Sequence, residues 1–190
     1  MIFYIDRCLG NKLIVETLRD AGISVEIHDD HFAKNAQDAE WIPEVGKRGW
    51  IILTKDARIS NNKLERFAVA NSGVKMFILA SQKLSGQEMA DIFTESIIEI
   101  QKMVNSNPAP FIAKIYQNST VKMWKNNNDL LAEFRIITRE ILKGDENNID
   151  RWNEIISIFA KQERPDEIMS VIKPIRNQIN RIRNQVEAIY

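Results

Sequence analysis

The chain has 190 residues, 44% hydrophobic and 27% charged, enough for one domain with an appendage or for two small domains. Its 26 Lys and Arg balance 26 Asp and Glu, which gives no support to wholesale nucleic-acid binding through a basic surface, so any phosphate contact must come from local placement of charge. One cysteine, Cys8, excludes an internal disulfide, and no apolar run approaches the ~20 residues of a membrane span.

The N-terminus, "MIFYIDRCLG", has an acid where a signal peptide would carry its apolar core, so a cytoplasmic protein is expected. Within it "IFYI" reads as a short buried strand ending at Asp6. "GNKLIVETLRDAG" follows as a helix with Leu9, Leu13 and Leu18 on one face and Gly22 as its stop. "ISVEIH" has the β-branched content of a second strand, and "DDHFAKNAQ" reads as a polar loop running into Asp38. "AEWIPEVGKRG" reads as a short helix with Pro43 in its first turns. "WIILT" is the third strand. "NNKLERFAVANSG" is a helix with Leu64, Phe67 and Ala68 inward, and "VKMFILA" is the fourth strand.

The clearest helix signal comes next. Ser85 and Glu88 form the S-x-x-E capping box, and Met89, Ile92, Phe93, Ser96, Ile97, Ile100 and Val104 hold one face after it. "FIAKIY" and "VKMW" then pair as a hairpin across "QNST". Strands alternating with helices predict an α/β domain over residues 1–124, with a mainly parallel sheet covered by helices on both faces.

After Trp124 the linker "KNNND" leads into a purely helical pattern, so residues 125–190 are expected to form an all-helical extension. Leu130, Leu131, Phe134, Ile137, Ile141 and Leu142 form one amphipathic face, and Trp152, Ile155, Ile156 and Phe159 another. From Ile168 to Ile189 isoleucine and valine recur at alternating spacings of four and three, interrupted by Pro174. A small bundle and an oligomerisation or partner-docking helix both fit that seam.

In a parallel sheet, ligands bind outside the carboxyl ends of the strands. Asp6 ends the first strand and Asp56 ends the third, so both belong to that edge. Asp38 starts the helix before the third strand, where a helix N-cap and a site carboxylate are both open readings. Carboxylates around one crevice repel unless a cation neutralises them. Mg²⁺ and similar hard cations take oxygen ligands together with substrate phosphates. Such a site activates water and offsets charge on a scissile phosphate. Arg7, Lys12, Lys55 and Arg58 adjoin these acids and are candidate phosphate contacts, and Thr54 could hydrogen-bond a neighbouring carboxylate. Like-charge crowding leads to the expectation that Asp56→Asn would leave folding intact or slightly improved.

Other motifs fail. "HDDHF" holds two histidines three apart, but strand alternation separates them and loop polarity accounts for the pattern. There is no glycine-rich phosphate loop. Gly22, Gly46, Gly49 and Gly73 read as scattered stops.

The stretches "FYIDRCLGNKL", "QDAEWIPEVGKRGWIILTKDARI", "ERFAVANSGVKMFIL", "LSGQEMADIF" and "PFIAKIY", in that order over roughly residues 1–124, resemble the PIN-like domains of bacterial VapC-type toxins. The most specific pieces are the D-x-x-W-I of Asp38, Trp41 and Ile42 and the T-K-D-x-R-I of Thr54 to Ile59. The resemblance implies a Mg²⁺- or Mn²⁺-dependent ribonuclease acting on single-stranded RNA, with Asp6, Asp38 and Asp56 as catalytic and metal-holding acids and Glu40 as a fourth candidate. It also implies an antitoxin protein as partner and homodimerisation. Such domains commonly carry four acids, and here no aspartate follows soon after Asp56. The rival expectation is a scaffold that no longer cuts and works as an RNA- or protein-binding module through its C-terminal helices.

Overall fold

Short apolar runs such as FYI, IILT and MFIL have no polar alternation, the pattern of strands buried on both faces. They form the middle of a six-stranded sheet in this computed structural model, which describes residues 1–142 apart from 11, 37, 62 and 82. The strands are β1 (Phe3–Ile5), β2 (Val25–Ile27), β3 (Ile51–Thr54), β4 (Lys75–Leu79), β5 (Phe111–Ile115) and β6 (Val121–Lys125). Their order is β2-β1-β3-β4-β5-β6, with the first five parallel and β6 returning antiparallel on β5. The chain steps out from β1 to β2 and then back across to β3. The C-terminal ends of β1 and β3 therefore flank the switch point of the sheet, where a crevice opens in such folds.

The helices are α1 (Leu13–Asp20), α2 (His28–His31), α3 (Asp38–Lys47), α4 (Arg58–Asn61), α5 (Lys63–Ser72), α6 (Gly86–Ser106) and α7 (Asn127–Leu142). On one face of the sheet, Ile14 and Leu18 of α1 and Met89 and Phe93 of α6 pack with Phe3, Ile5, Leu53 and Phe77. On the other, Trp41, Ile42 and Val45 of α3, Ala68 and Val69 of α5 and Leu130 of α7 pack with Tyr4, Ile52, Met76 and Ile78. Each large side chain so buried contributes about 1.5–3 kcal/mol through loss of apolar surface to water.

Ser85 caps α6 as the sequence indicates. Its Oγ accepts from Glu88 N at 3.2 Å and its own N–H donates to Glu88 Oε2 at 2.7 Å. All seven face residues expected of this helix, Met89 to Val104, are buried. The hairpin of β5 and β6 also forms as expected.

Four local features differ from the sequence expectations. Leu13 is exposed, and α1 turns Ile14, Val15 and Leu18 inward instead. The spacing from Leu9 to Leu13 crosses Gly10, whose φ of +74° breaks the helix, so the two leucines are not in one helical phase. The expected loop at "DDH" begins with a one-turn helix, and His28 is buried, its Nε2 donating to Ala33 O at 3.2 Å while Nδ1 accepts from Tyr4 Oη at 2.7 Å. Gly46 is not a stop. It lies inside α3, where a Cβ would meet Ser72 O at 2.3 Å, so its bareness lets α3 approach the end of α5.

The chain divides into two compact units, Met1–Ile137 and Thr138–Tyr190. The first passes Trp124 because β6 runs to Lys125 and Leu130 is fully buried in the core. Glu133 adds ion pairs to Arg66 Nε at 2.8 Å and Lys125 Nζ at 2.7 Å. The expected helix around Trp152 to Phe159 and the seam from Ile168 to Ile189 lie outside the described residues. Among the described residues no helix is long and apolar enough to cross a membrane.

Candidate active site

β1 ends at Ile5, and Asp6 stays extended (φ −64°, ψ 141°) before the 3-10 turn of Arg7–Leu9. Its carboxylate caps that turn, Oδ1 accepting from Cys8 N at 3.4 Å. Oδ2 accepts the Thr54 hydroxyl at 2.5 Å and the Cys8 thiol at 2.9 Å. Thr54, the last residue of β3, is fully buried, and its Oγ1 also accepts from Asp56 N at 3.0 Å. Burial, and then the neighbouring charge of Asp6, push the Cys8 thiol up to about 12, so it stays protonated and donates. Asp6 is thus fixed by two side chains and is only 8% exposed.

Asp56 lies beyond Thr54 and opens α4. Oδ1 accepts from Arg58 N at 2.8 Å, Arg58 Nε reaches both carboxylate oxygens at 3.0 Å, and Arg58 Nη2 pairs with Oδ2. These hydrogen bonds from Arg58, working against partial burial, hold Asp56 below the usual carboxylate range. The Arg58 side chain remains 81% exposed, so this pair faces solvent on one side.

Asp38 reaches the same neighbourhood through the crossover. A helix connecting two parallel strands runs antiparallel to them, so α3 begins at the edge where the strands end. Asp38 Oδ1 accepts from the Trp41 indole Nε1 at 3.0 Å, a contact that the i, i+3 spacing of D-x-x-W provides. Burial raises the Asp38 pKa, and the charges of Asp6 and Asp56 raise it further, against the Trp41 hydrogen bond and Arg58. Asp38 therefore feels both other aspartates. As the side chains stand, no three His, Cys, Asp or Glu groups among the described residues come close enough to hold one metal ion. The donor set nevertheless suits a hard divalent cation: all its atoms are carboxylate oxygens, and the proton affinity of Asp38 is raised by desolvation and, beyond that, by a repulsion such an ion would relieve.

The other sequence candidates are arranged less uniformly. Arg7 and Lys12 are exposed beyond the end of β1, and Lys55 is half-buried with its N–H donating to Cys8 Sγ at 3.3 Å. Arg58 is committed to Asp56 instead of being held out for a phosphate. Glu40 is exposed in the first turn of α3. Cys8 was not among the sequence candidates, although its position two residues past a turn-capping aspartate puts it on that carboxylate. Neither was Glu65 of α5, whose charge reaches Arg58.

The comparisons with known proteins agree with this architecture. Residues 1–81 match the family model described as "PIN like domain". Over 124 residues the chain is 28% identical to "Putative ribonuclease VapC45" of Mycobacterium tuberculosis, covering 63% of this chain and 89% of that protein. No solved structure matches the chain. The N-terminal part of the chain is accordingly similar to PIN-like domains and to a protein named as a putative ribonuclease of the VapC kind.

Proposed function

We propose that this protein is a Mg²⁺- or Mn²⁺-dependent endoribonuclease that cuts single-stranded RNA in the cytoplasm, as the toxin of a toxin–antitoxin pair. The observation that carries the reading is the electrostatic state of Asp38, a half-buried carboxylate whose proton affinity is raised first by desolvation and then by the charges of Asp6 and Asp56 near the switch point of the sheet. The similarity to a protein named as a ribonuclease supports the same reaction class.

Asp6, Asp38 and Asp56 would hold the ion. When bound, it supplies positive charge to a scissile phosphate and acidity to water. The chain's own groups prepare that place. Thr54 and Cys8 fix Oδ2 of Asp6, and Trp41 orients Asp38. Arg58, exposed and able to form two parallel hydrogen bonds, exchanges Asp56 for a phosphate oxygen of the strand, which frees both Asp56 oxygens. Lys55, Arg7 and Lys12 add charge along the same edge.

A mixed single-stranded RNA pool, incubated with Mg²⁺ or Mn²⁺ and then with EDTA, tests the reading. Cutting should require the metal and be lost in Asp6→Asn and Asp56→Asn. Cutting that survives both substitutions would remove the assignment. The Arg58 clamp on Asp56 favours a second reading, a PIN-like scaffold that binds RNA or protein without cutting. RNA binding without metal-dependent cleavage would select it.

A further inference from the structure

A lysine pair on the sheet shares a row with Thr54, which holds Asp6. Between Glu99 and Asp129 the sequence has lysines at 102, 114, 122 and 125 and no acidic residue. The sheet register pairs Thr54 with Ile78, Ile78 with Lys114, and Lys114 with Lys122. Directly paired residues project from the same face, so these four side chains lie in one row, and Thr54 at its end holds Asp6. At ~4.8 Å per strand, the Lys114 backbone lies about 10 Å from that of Thr54 and the Lys122 backbone about 14 Å.

Lys114 and Lys122 stand directly opposite each other, an arrangement of like charges that destabilises a strand pair. Among the described residues neither has an acidic partner. Lys114 Nζ sits 4.5 Å from the Trp124 ring centre, and Lys122 Nζ lies 5.9 Å from that of Tyr116. Lys125, next along the strand, differs in that Glu133 neutralises it. Tyr116, just past β5 at the edge where Asp6 and Asp56 lie, is 39% exposed. Cations without carboxylate partners beside a half-open ring are what a single-stranded polynucleotide uses, phosphates to ammonium groups and a base to the ring.

We propose that Lys114, Lys122 and Tyr116 form a binding surface for single-stranded RNA, carrying the part of the strand that extends away from the carboxylates. The proposal rests on the ribonuclease reading for its ligand and deepens it by naming a second contact region on the same face. The occupant is argued from charge: the hairpin of β5 and β6 is a local basic island on a protein of zero net charge.

The test uses the full chain in EDTA with a fluorescent single-stranded RNA of about 16 nucleotides, a length within the range such surfaces cover. Anisotropy should show Lys114→Gln/Lys122→Gln binding about tenfold more weakly at low salt. The slope of log affinity against log salt should shrink by about 1.4, two phosphate contacts at ~0.7 each. Tyr116→Ala should weaken binding at least about fivefold, the smaller end of a lost base stack. The thermal midpoint of the double lysine variant should equal or exceed that of the parent, which shows that weaker binding does not come from unfolding. A folded double variant with unchanged affinity and salt slope overturns the surface, even where the parent cuts RNA in Mg²⁺. Absence of RNA binding by the parent overturns it as well. Binding that depends on the lysines, in a protein that never cuts, upholds the surface and defeats the nuclease reading alone.

Discussion

Replacing Asp38 with asparagine in metal-free buffer at pH 7 should raise the thermal midpoint by a few degrees at most, since solvent screens part of the repulsion. The folded pKa of Asp38 is raised above its ordinary 3.8, so the native state binds the proton more tightly and loses stability as pH rises through that window. The gain from Asp38→Asn should therefore be full above the raised pKa and vanish below 3.8, where the carboxyl is protonated folded or unfolded. Asp56→Asn should act in the opposite direction, costing at most about 1 kcal/mol at neutral pH because it loses the exposed Arg58 pair. That reverses the sequence-based expectation of relief at Asp56: the crowding falls on Asp38, while Arg58 neutralises Asp56. Melting curves of both variants between pH 3 and 8 in EDTA check the pair, and two shifts of the same sign would contradict it. Cys8 offers a simpler check. With its thiol held near 12 and hydrogen-bonded to Asp6, it should resist iodoacetamide at pH 7.5 in the folded protein and react after denaturation.

Among the elements, α3 shows where the sequence was legible and where it was not. Asp6 and Asp56 could be placed at one edge from strand ends alone. Placing Asp38 needed the direction of the crossover helix, a fact about handedness and packing and not about local pattern. Trp41 and Ile42 read as signature residues and are core residues as well, buried beneath α3. Gly46 looked like punctuation because a glycine that permits close packing has the same letter as one that ends a helix. Its role depends on Ser72, distant in sequence. Gly46→Ala should destabilise by about 1–3 kcal/mol despite the better helix propensity of alanine, since backbone of α5 must move. A chemical-denaturation midpoint at or above the parent's would contradict the close approach. His28 was misjudged for a similar reason, since its partners Tyr4 and Ala33 become visible only once α2 folds back. At α7, Glu133→Gln should cost less than about 1 kcal/mol at pH 7. Burial works against the Glu133 charge, but Lys125 and Arg66 hold its pKa below the ordinary 4.5. Its stabilisation is therefore present above 4.5 and lost as pH falls through the lower folded value, so parent and variant should converge in acid.

At the scale of the whole molecule, the parallel order of the sheet brings the proposed contacts to one edge. Asp6 and Asp56 follow β1 and β3 at the switch point, and the row through Thr54 and Ile78 leads to the lysines of β5 and β6. A chain ended at Trp124 would lose Lys125, Leu130 and Glu133 and should melt below one ended at Leu142. In the proposed function Asp6, Asp38 and Asp56, far apart in sequence, serve one divalent ion. Mn²⁺ titration of the parent, followed by electron paramagnetic resonance, tests it most directly against Asp6→Asn, Asp38→Asn and Asp56→Asn. The parent should bind Mn²⁺ at a site that each of the three substitutions weakens. Mn²⁺ affinity that is untouched by the substitutions, or that responds to only one of them, would contradict it.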